Sequence, residues 1–271
     1  MELHLPTDPR EMHDAIAGAV MADPVANTLL GSMLDGPVER LWCAMDPDRP
    51  GVLAVRSAAR FPVVLTPGWT PADAPALAEV ISEVPALRAV SGGVEVVEAV
   101  ADAVAQRTGR DVSDRLAERL FRLDSLDEPR GIPGWSRTTG PRDRALLNEW
   151  IVAFTQEVHA PQADPRIIVD RLIENESPLG RLWLDSSGRP VALAARRAAS
   201  GGCARVGPVF TSPAERGHGY AAAVTAAVTR EILEGGAVAV LFTDASDPGP
   251  NRLYQRLGYR PVRDLAQIFL T

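Results

Sequence analysis

Lysine is absent from this 271-residue chain: all 28 basic residues are arginine, set against 35 acidic ones, for a formal net charge of −7. That balance argues against nucleic acid as a partner, because such binding usually relies on a basic face that displaces counterions. An anionic ligand would have to be held by local groups. Cysteine is scarce too. Cys43 and Cys203 are the only two, too few for a disulfide framework and without the spaced Cys/His partners of a zinc site. Free thiols and no metal are the expectation. No apolar run approaches the roughly 18 residues of a membrane span, and Met1 to Arg10 lacks a basic region followed by an apolar one. A cytoplasmic protein without a membrane partner is expected. What is abundant is alanine, valine, proline and glycine, a composition that speaks to a GC-rich genome and not to mechanism.

The length allows two domains of about 100 to 150 residues, each with its own core. A Pro/Gly cluster at Pro129-Arg130-Gly131-Ile132-Pro133-Gly134 suggests the boundary, giving domains 1–129 and 130–271. Patterning in the first half predicts helices over Pro9–Met21, Pro24–Leu34, Pro71–Val84 and Val94–Thr108. Strands are predicted over Leu41–Met45, Val52–Ser57, Pro62–Thr66, Leu87–Ser91 and Arg115–Leu123. The second half reads as a short strand at Trp135–Thr138, helices over Arg142–Val158 and Pro165–Glu174, and a three-stranded meander ending at Phe210. A helix over Gly219–Leu233, closed by Gly235-Gly236, a buried strand at Ala237–Phe242, a short helix at Asn251–Leu257 and a last strand follow. The fold class implied is α/β with a mixed sheet.

One stretch carries chemistry. Val209-Phe210-Thr211-Ser212-Pro213-Ala214-Glu215-Arg216-Gly217-His218-Gly219-Tyr220-Ala221 joins a strand to a helix through a turn suited to a pyrophosphate. Gly217 and Gly219 let the backbone approach a ligand where a Cβ would clash, the helix start offers unpaired amides and about half a positive charge, and Arg216 adds a cation. A dinucleotide-binding turn is the competing reading, since Gly217-x-Gly219-x-x-Ala222 fits its fingerprint and Asp244 ends the next strand. Against it, Thr211 to Arg216 intervenes between strand and turn, a meander precedes the motif, and few residues remain after Asp244.

The loop Arg216-Gly217-His218-Gly219-Tyr220-Ala221 resembles the Arg/Gln-x-x-Gly-x-Gly/Ala pyrophosphate loop of the GNAT superfamily of acyl-CoA N-acyltransferases. A second segment, Asn251-Arg252-Leu253-Tyr254-Gln255-Arg256-Leu257-Gly258-Tyr259, is similar to that family's Leu-Tyr-x-x-x-Gly-Phe/Tyr helix. The resemblance covers roughly residues 133–271. The first half resembles the same fold without the CoA loop, having Thr66-Pro67-Gly68-Trp69-Thr70-Pro71 in its place, as in tandem bacterial GNAT proteins with a degenerate N-terminal half.

The resemblance implies acetyl-CoA as co-substrate and transfer to a primary amine, of a small molecule or a peptide, in a ternary complex. It makes Tyr254 the general acid for the departing thiolate. Main-chain groups of Val209, Phe210 and Thr211 would pair with pantetheine, and Arg216 to Ala221 would hold the pyrophosphate. The asparagine that usually stands seven residues before the tyrosine is Asp247 here, and Asn251 is the candidate for its contact. The base stays open among Asp244, Glu157, His159, His218 and water, while Glu231 and Glu234 read as a solvated helix face. Two other functions share these features: a tandem acyltransferase making a thiol metabolite such as mycothiol, and a non-catalytic CoA-binding module.

Overall fold

In the computed structural model, which describes residues 3–34, 38–44, 49, 51–158, 164–173 and 179–271, side-chain alternation sends apolar residues to both faces of each sheet. Two units result: Met1–Leu120 with Asp244–Ser246 and Val262–Thr271, and Phe121–Thr243 with Asp247–Pro261. No helix among the described residues is long and apolar enough to cross a membrane.

The first unit runs β1 (Leu3–His4), α1 (Pro9–Ala22), α2 (Thr28–Gly31), β2 (Arg40–Ala44), β3 (Leu53–Arg56), β4 (Val63–Leu65), α3 (Ala74–Ile81), β5 (Ala89–Gly93), α4 (Val94–Thr108) and β6 (Val112–Leu123). The second runs β7 (Trp135–Thr138), α5 (Arg144–Glu157), α6 (Pro165–Ile173), β8 (Gly180–Leu184), β9 (Pro190–Arg196), β10 (Cys203–Thr211), α7 (Tyr220–Glu234), β11 (Val238–Asp244), α8 (Pro248–Arg256) and β12 (Tyr259–Leu270). The two units thus repeat one order of elements. Strands β6 and β12 each give one end to each unit.

In the first unit the strand order is β1-β2-β3-β4-β5-β12-β6, with β4 and β5 parallel and β12 antiparallel to β5. Leu41, Leu53 and Val55 face α1 and α2, whereas Trp42, Ala54 and Leu65 face α3 and α4. In the second unit β11-β10-β9-β8-β7 follow one another, with only the β10–β11 pair of these parallel. Leu193 and Ala195 pack under α5 and α6, and Ala192 and Ala194 pack under α7 and α8.

Local chemistry sets the helix ends. Asp8 accepts from the Arg10 amide ahead of Pro9, Asp164 accepts from the Arg166 amide ahead of Pro165, and Asp247 accepts from the Gly249 amide ahead of Pro248. Helix α7 is closed by Gly236 at φ 74°, the left-handed cap that its double glycine announces. The helix predicted over Pro24–Leu34 shrinks to α2, because Asp23 accepts from the Ala26 amide and holds that stretch in a turn. The helix predicted from Pro71 starts as a 3₁₀ turn over Pro71–Asp73 and stops at Ile81.

The Pro129–Gly134 stretch, where composition suggests a boundary, is laid against the second unit. The Trp183 indole donates to Pro133 O at 3.0 Å, and a Cβ on Gly134 would stand 1.9 Å from Leu184 O. Just upstream, the Asp127 amide donates to Leu257 O at 3.1 Å. Gly258 closes this seam at φ 92°, with its would-be Cβ 1.7 Å from Ser125 O. Backbone cannot step aside as a side-chain tip can. Gly258→Ala should therefore lower unfolding stability by about 2 kcal/mol or more, from left-handed strain plus a displaced chain. Urea denaturation would measure this, and a loss below about 0.5 kcal/mol would show that the seam gives freely.

Candidate functional site

The site grows from the point where two parallel strands stop pairing. Strand β10 pairs with β11 from Cys203↔Val238 to Val206↔Leu241, and beyond that β10 pairs only with β9. Along β9 the register gains one residue on β10 between Val206 and Val209, a β-bulge that contains Gly207 and Pro208. Proline has no amide to donate, and a bulge bends its strand away from a neighbour. A wedge opens between β10 and β11, with Val209, Phe210 and Thr211 on one side and Phe242 and Thr243 on the other.

Of the three β10 residues, Phe210 turns its ring into the α5 side, 5.7 Å from Trp150. Val209 leans on the opposite cluster. The Thr211 hydroxyl is buried and has no hydrogen-bond partner among the described residues. Any contact by Phe210 with a ligand would therefore be through main chain.

Past Thr211, a 3₁₀ turn over Pro213–Glu215 leads to Gly217 and Gly219, both at φ 84°. Gly219 caps α7, and its carbonyl accepts from the Ala223 amide at 3.1 Å. The amides of Gly217, Gly219, Tyr220, Ala221 and Ala222 find no hydrogen-bond partner among the described residues. They stand at the positive end of a 15-residue helix. The two glycines serve different ends. A Cβ on Gly217 would meet open space, whereas one on Gly219 would come 2.8 Å from the Ile132 side chain.

The remaining loop residues divide by side chain. Arg216 donates through Nε to Thr211 O at 3.1 Å and through Nη2 to Glu157 at 2.6 Å. His218 stays exposed, its Nδ1 3.2 Å from Glu215 O and its ring stacked on Tyr220 at 5.6 Å. Tyr220 is itself buried in the α7–α8 core, so only its amide is free to meet a ligand. Ala221 is half-buried beside it.

Tyr254 lies on α8 and shares a core cluster with Val206 and Leu241, the residues at which the β10–β11 ladder ends. Its ring meets Tyr259 edge-on at 6.2 Å. The Tyr259 hydroxyl is satisfied by Thr229 at 2.6 Å, but the Tyr254 hydroxyl has no partner among the described residues. Burial pushes the Tyr254 phenol up to about 12. One turn earlier, Asn251 is buried and donates to Asp247 O.

The candidate bases fall into structural roles. Asp244 accepts from the amide and hydroxyl of Ser246 in a tight turn, Glu157 is paired with Arg216, and His159 lies outside the described residues. Glu231, read from sequence as part of a solvated helix face, instead bridges Arg181 and Arg196. Sequence reasoning did not foresee Ile132 beneath Gly219. The only signal was an apolar residue inside a Pro/Gly stretch. No group of His, Cys, Asp or Glu among the described residues could hold a metal.

The first unit fills the equivalent turn with its own groups. Asp73 accepts from the Thr70 amide at 2.9 Å and from Arg49 at 2.6 and 3.1 Å, which holds its carboxyl below the usual carboxylate range. Trp69 is buried there, with its indole donating to Leu53 O at 2.8 Å. A carboxylate thus occupies the place of an anion.

Residues 185–267 match the family model described as FR47-like protein. No curated protein sequence matches the chain. Among solved structures, a GCN5-related N-acetyltransferase from Kribbella flavida is similar at TM-score 0.62 and 21% identity, covering 91% of this chain and 94% of that one. Another, from Sphaerobacter thermophilus, gives 0.61 and 18%, covering 98% and 95%. A Drosophila protein gives 0.71 and 14%, covering 99% and 98%. At such identities the likeness is one of fold.

The unequal surroundings of the two loop glycines give a direct test. Gly217→Ala should cost only the left-handed conformation, about 1 kcal/mol, while Gly219→Ala should cost that and a displaced Ile132. Urea denaturation should rank Gly219→Ala as the more harmful. Equal losses would mean that Ile132 does not pack on the turn.

Proposed function

We propose that this chain, a GNAT-superfamily member by its fold and by the family match over residues 185–267, is an acetyl-CoA-dependent N-acetyltransferase acting in its second unit on a primary amine. The observation that carries this reading is the turn at Gly217 and Gly219, with its unpaired amides beside a wedge that exposes one edge of β10.

The residues present fit the donor. Unpaired amides at a helix N-terminus suit a diphosphate, and the open side of Gly217 leaves it room. Arg216 would exchange Glu157 for phosphate. Both partners of that pair are about half exposed, at 49% and 45%, so the pair is worth at most about 1 kcal/mol and yields readily to a more highly charged anion. Beside the wedge, an amide-bearing chain can add to β10 as an extra strand does. The buried Thr211 hydroxyl would gain a partner there.

Acetyl-CoA supplies an acyl group activated as a thioester. The protein's part in transfer is to orient the amine and to supply a proton to the leaving sulfur. Tyr254 suits that second role because its hydroxyl is unpaired and, near 12, stays protonated across the physiological range. Giving that proton to a thiolate of ordinary pKa about 8.5 is uphill by about 5 kcal/mol. A thiolate released against the same apolar wall loses solvation as well, so its basicity rises and the gap narrows. Asp244 and Glu157 are already engaged, which favours an amine that loses its proton to water.

Tyr254→Phe removes the hydroxyl and leaves the ring's packing in place. With an amine panel assayed by free CoA release, turnover should fall by about 10²- to 10⁴-fold while acetyl-CoA affinity stays put. Undiminished turnover would return Tyr254 to a packing role. The pH profile gives an independent reading. Since the acid form persists until about 12, kcat should show no descending limb up to about pH 10. A limb near pH 9 that vanishes in Tyr254→Phe would contradict the buried phenol.

A further inference from the structure

Glu157 stands where its own helix does not favour it. It is the last residue of α5, a 14-residue helix with no basic residue in its last turn, and a carboxylate there faces the negative end of the helix dipole. What it meets instead is the turn after β10. Its Oε1 accepts from Arg216 Nη2 at 2.6 Å, ahead of the positive end of α7. No other hydrogen bond or ion pair reaches the Glu157 side chain among the described residues. A carboxylate from one helix thus takes the cation at the start of another, as an oxygen of a bound anion would.

Arg216 does not depend on that partner for its position. Its Nε donates to Thr211 O at 3.1 Å, and its guanidinium lies 6.0 Å from the centre of the Phe210 ring. Exchanging Glu157 for another anion therefore costs one contact and leaves the guanidinium held by two others. The turn of the first unit shows the contrast. There Asp73 belongs to the turn itself, accepts from the Thr70 amide as well as from Arg49, and is only 10% exposed. Glu157 comes from outside its turn and is about half exposed. It leaves the amides of Gly217, Gly219, Tyr220, Ala221 and Ala222 without a partner among the described residues. The first carboxylate is fixed in place, and the second can be displaced.

We propose that Glu157 is a built-in competitor for the donor's diphosphate: it occupies Arg216 in the empty protein, and a bound donor expels it and so releases the last turn of α5 from the pyrophosphate turn. This rests on the acetyl-CoA reading for the identity of the ligand. An anion that offers Arg216 one contact gains little over the carboxylate already there, whereas a diphosphate also engages the turn amides and wins. The expelled carboxylate turns to solvent, and when CoA leaves it returns to Arg216. The pair thus raises the threshold for occupying the turn and helps to clear it after transfer.

Two measurements test this. In the first, CoA is titrated calorimetrically into the wild type, Glu157→Gln, Arg216→Gln and the double variant, with thermal unfolding to check that each is folded. Glu157→Gln should tighten CoA by about two- to fivefold, the range that an exposed ion pair can withhold. Arg216→Gln should weaken it by about tenfold or more, the scale of a lost charged hydrogen bond. In the Arg216→Gln background the second substitution should change affinity by less than about 1.5-fold, because the two act through one contact. Unchanged or weaker binding in Glu157→Gln overturns the competition. So does a gain of the same size without Arg216, which would mean that the carboxylate acts only by its field. Either result leaves CoA bound and the acetyl-CoA reading intact, whereas no CoA binding to any of the four proteins sinks that reading and the competition with it.

The second measurement is hydrogen exchange at the amides of Thr155 to Val158, with and without saturating CoA. Ligands usually slow exchange near their sites, but here CoA should speed it by about two- to fivefold in the wild type, because the end of α5 loses its tether. In Glu157→Gln that segment should exchange at the faster rate already, and CoA should add no further increase. Exchange that CoA leaves unchanged or slows in the wild type overturns the release of α5.

Discussion

The parallel ladder between β10 and β11 ends at Val206 and Leu241, and the rest of the candidate site depends on that ending. Had pairing continued, the main-chain edge of Val209 to Thr211 would be consumed by β11. Instead the bulge with Gly207 and Pro208 turns β10 aside. Three features then meet at one place: a strand edge, a helix N-terminus and a phenol, none of which has a hydrogen-bond partner there among the described residues. The phenol is buried, where an unpaired polar group is costly, whereas the turn amides stand on exposed residues and meet solvent until a ligand replaces it. Their concentration in one wedge is the reason to read it as a place where a ligand completes the hydrogen bonding.

The two units show what a small change in sequence does to such a place. Both follow the same order of strands and helices. In the second, the turn after the fourth strand offers amides and Arg216. In the first, Asp73 and Arg49 satisfy each other and the Thr70 amide, and Trp69 fills the space beside them. Charge decides the outcome. A carboxylate at the mouth of the turn uses the donors and would repel a phosphate there.

Much of this was legible from sequence because it is written locally. Prolines behind an aspartate marked the starts of α1 and α6, the double glycine marked the end of α7, and the Gly217–Gly219 turn followed a strand as its spacing implied, whereas α8 begins at Pro248, three residues before the expected Asn251, because Asp247 caps it. What was not legible depends on pairs distant in the chain. Pro129–Gly134 has the composition of a linker, yet Ile132 and Pro133 pack on residues some 50 to 90 positions away. Glu231 looked solvated until Arg181 and Arg196 were brought to it by the sheet. The exchange of strand ends between units is likewise invisible to periodicity, since β6 and β12 read as ordinary strands. The candidate bases were indistinguishable in sequence because each is an acid or histidine near a loop, and only their partners tell them apart.

The central claim is that one turn, and not its counterpart in the first unit, holds the donor's diphosphate. Calorimetric titration of acetyl-CoA into the chain and into Gly217→Asp tests it most directly. Aspartate tolerates the left-handed backbone better than most residues, and it places a carboxylate among the amides as Asp73 does in the first unit. The account requires one site per chain in the wild type and its loss in a folded Gly217→Asp. Two sites per chain, or one that survives the substitution, would contradict it.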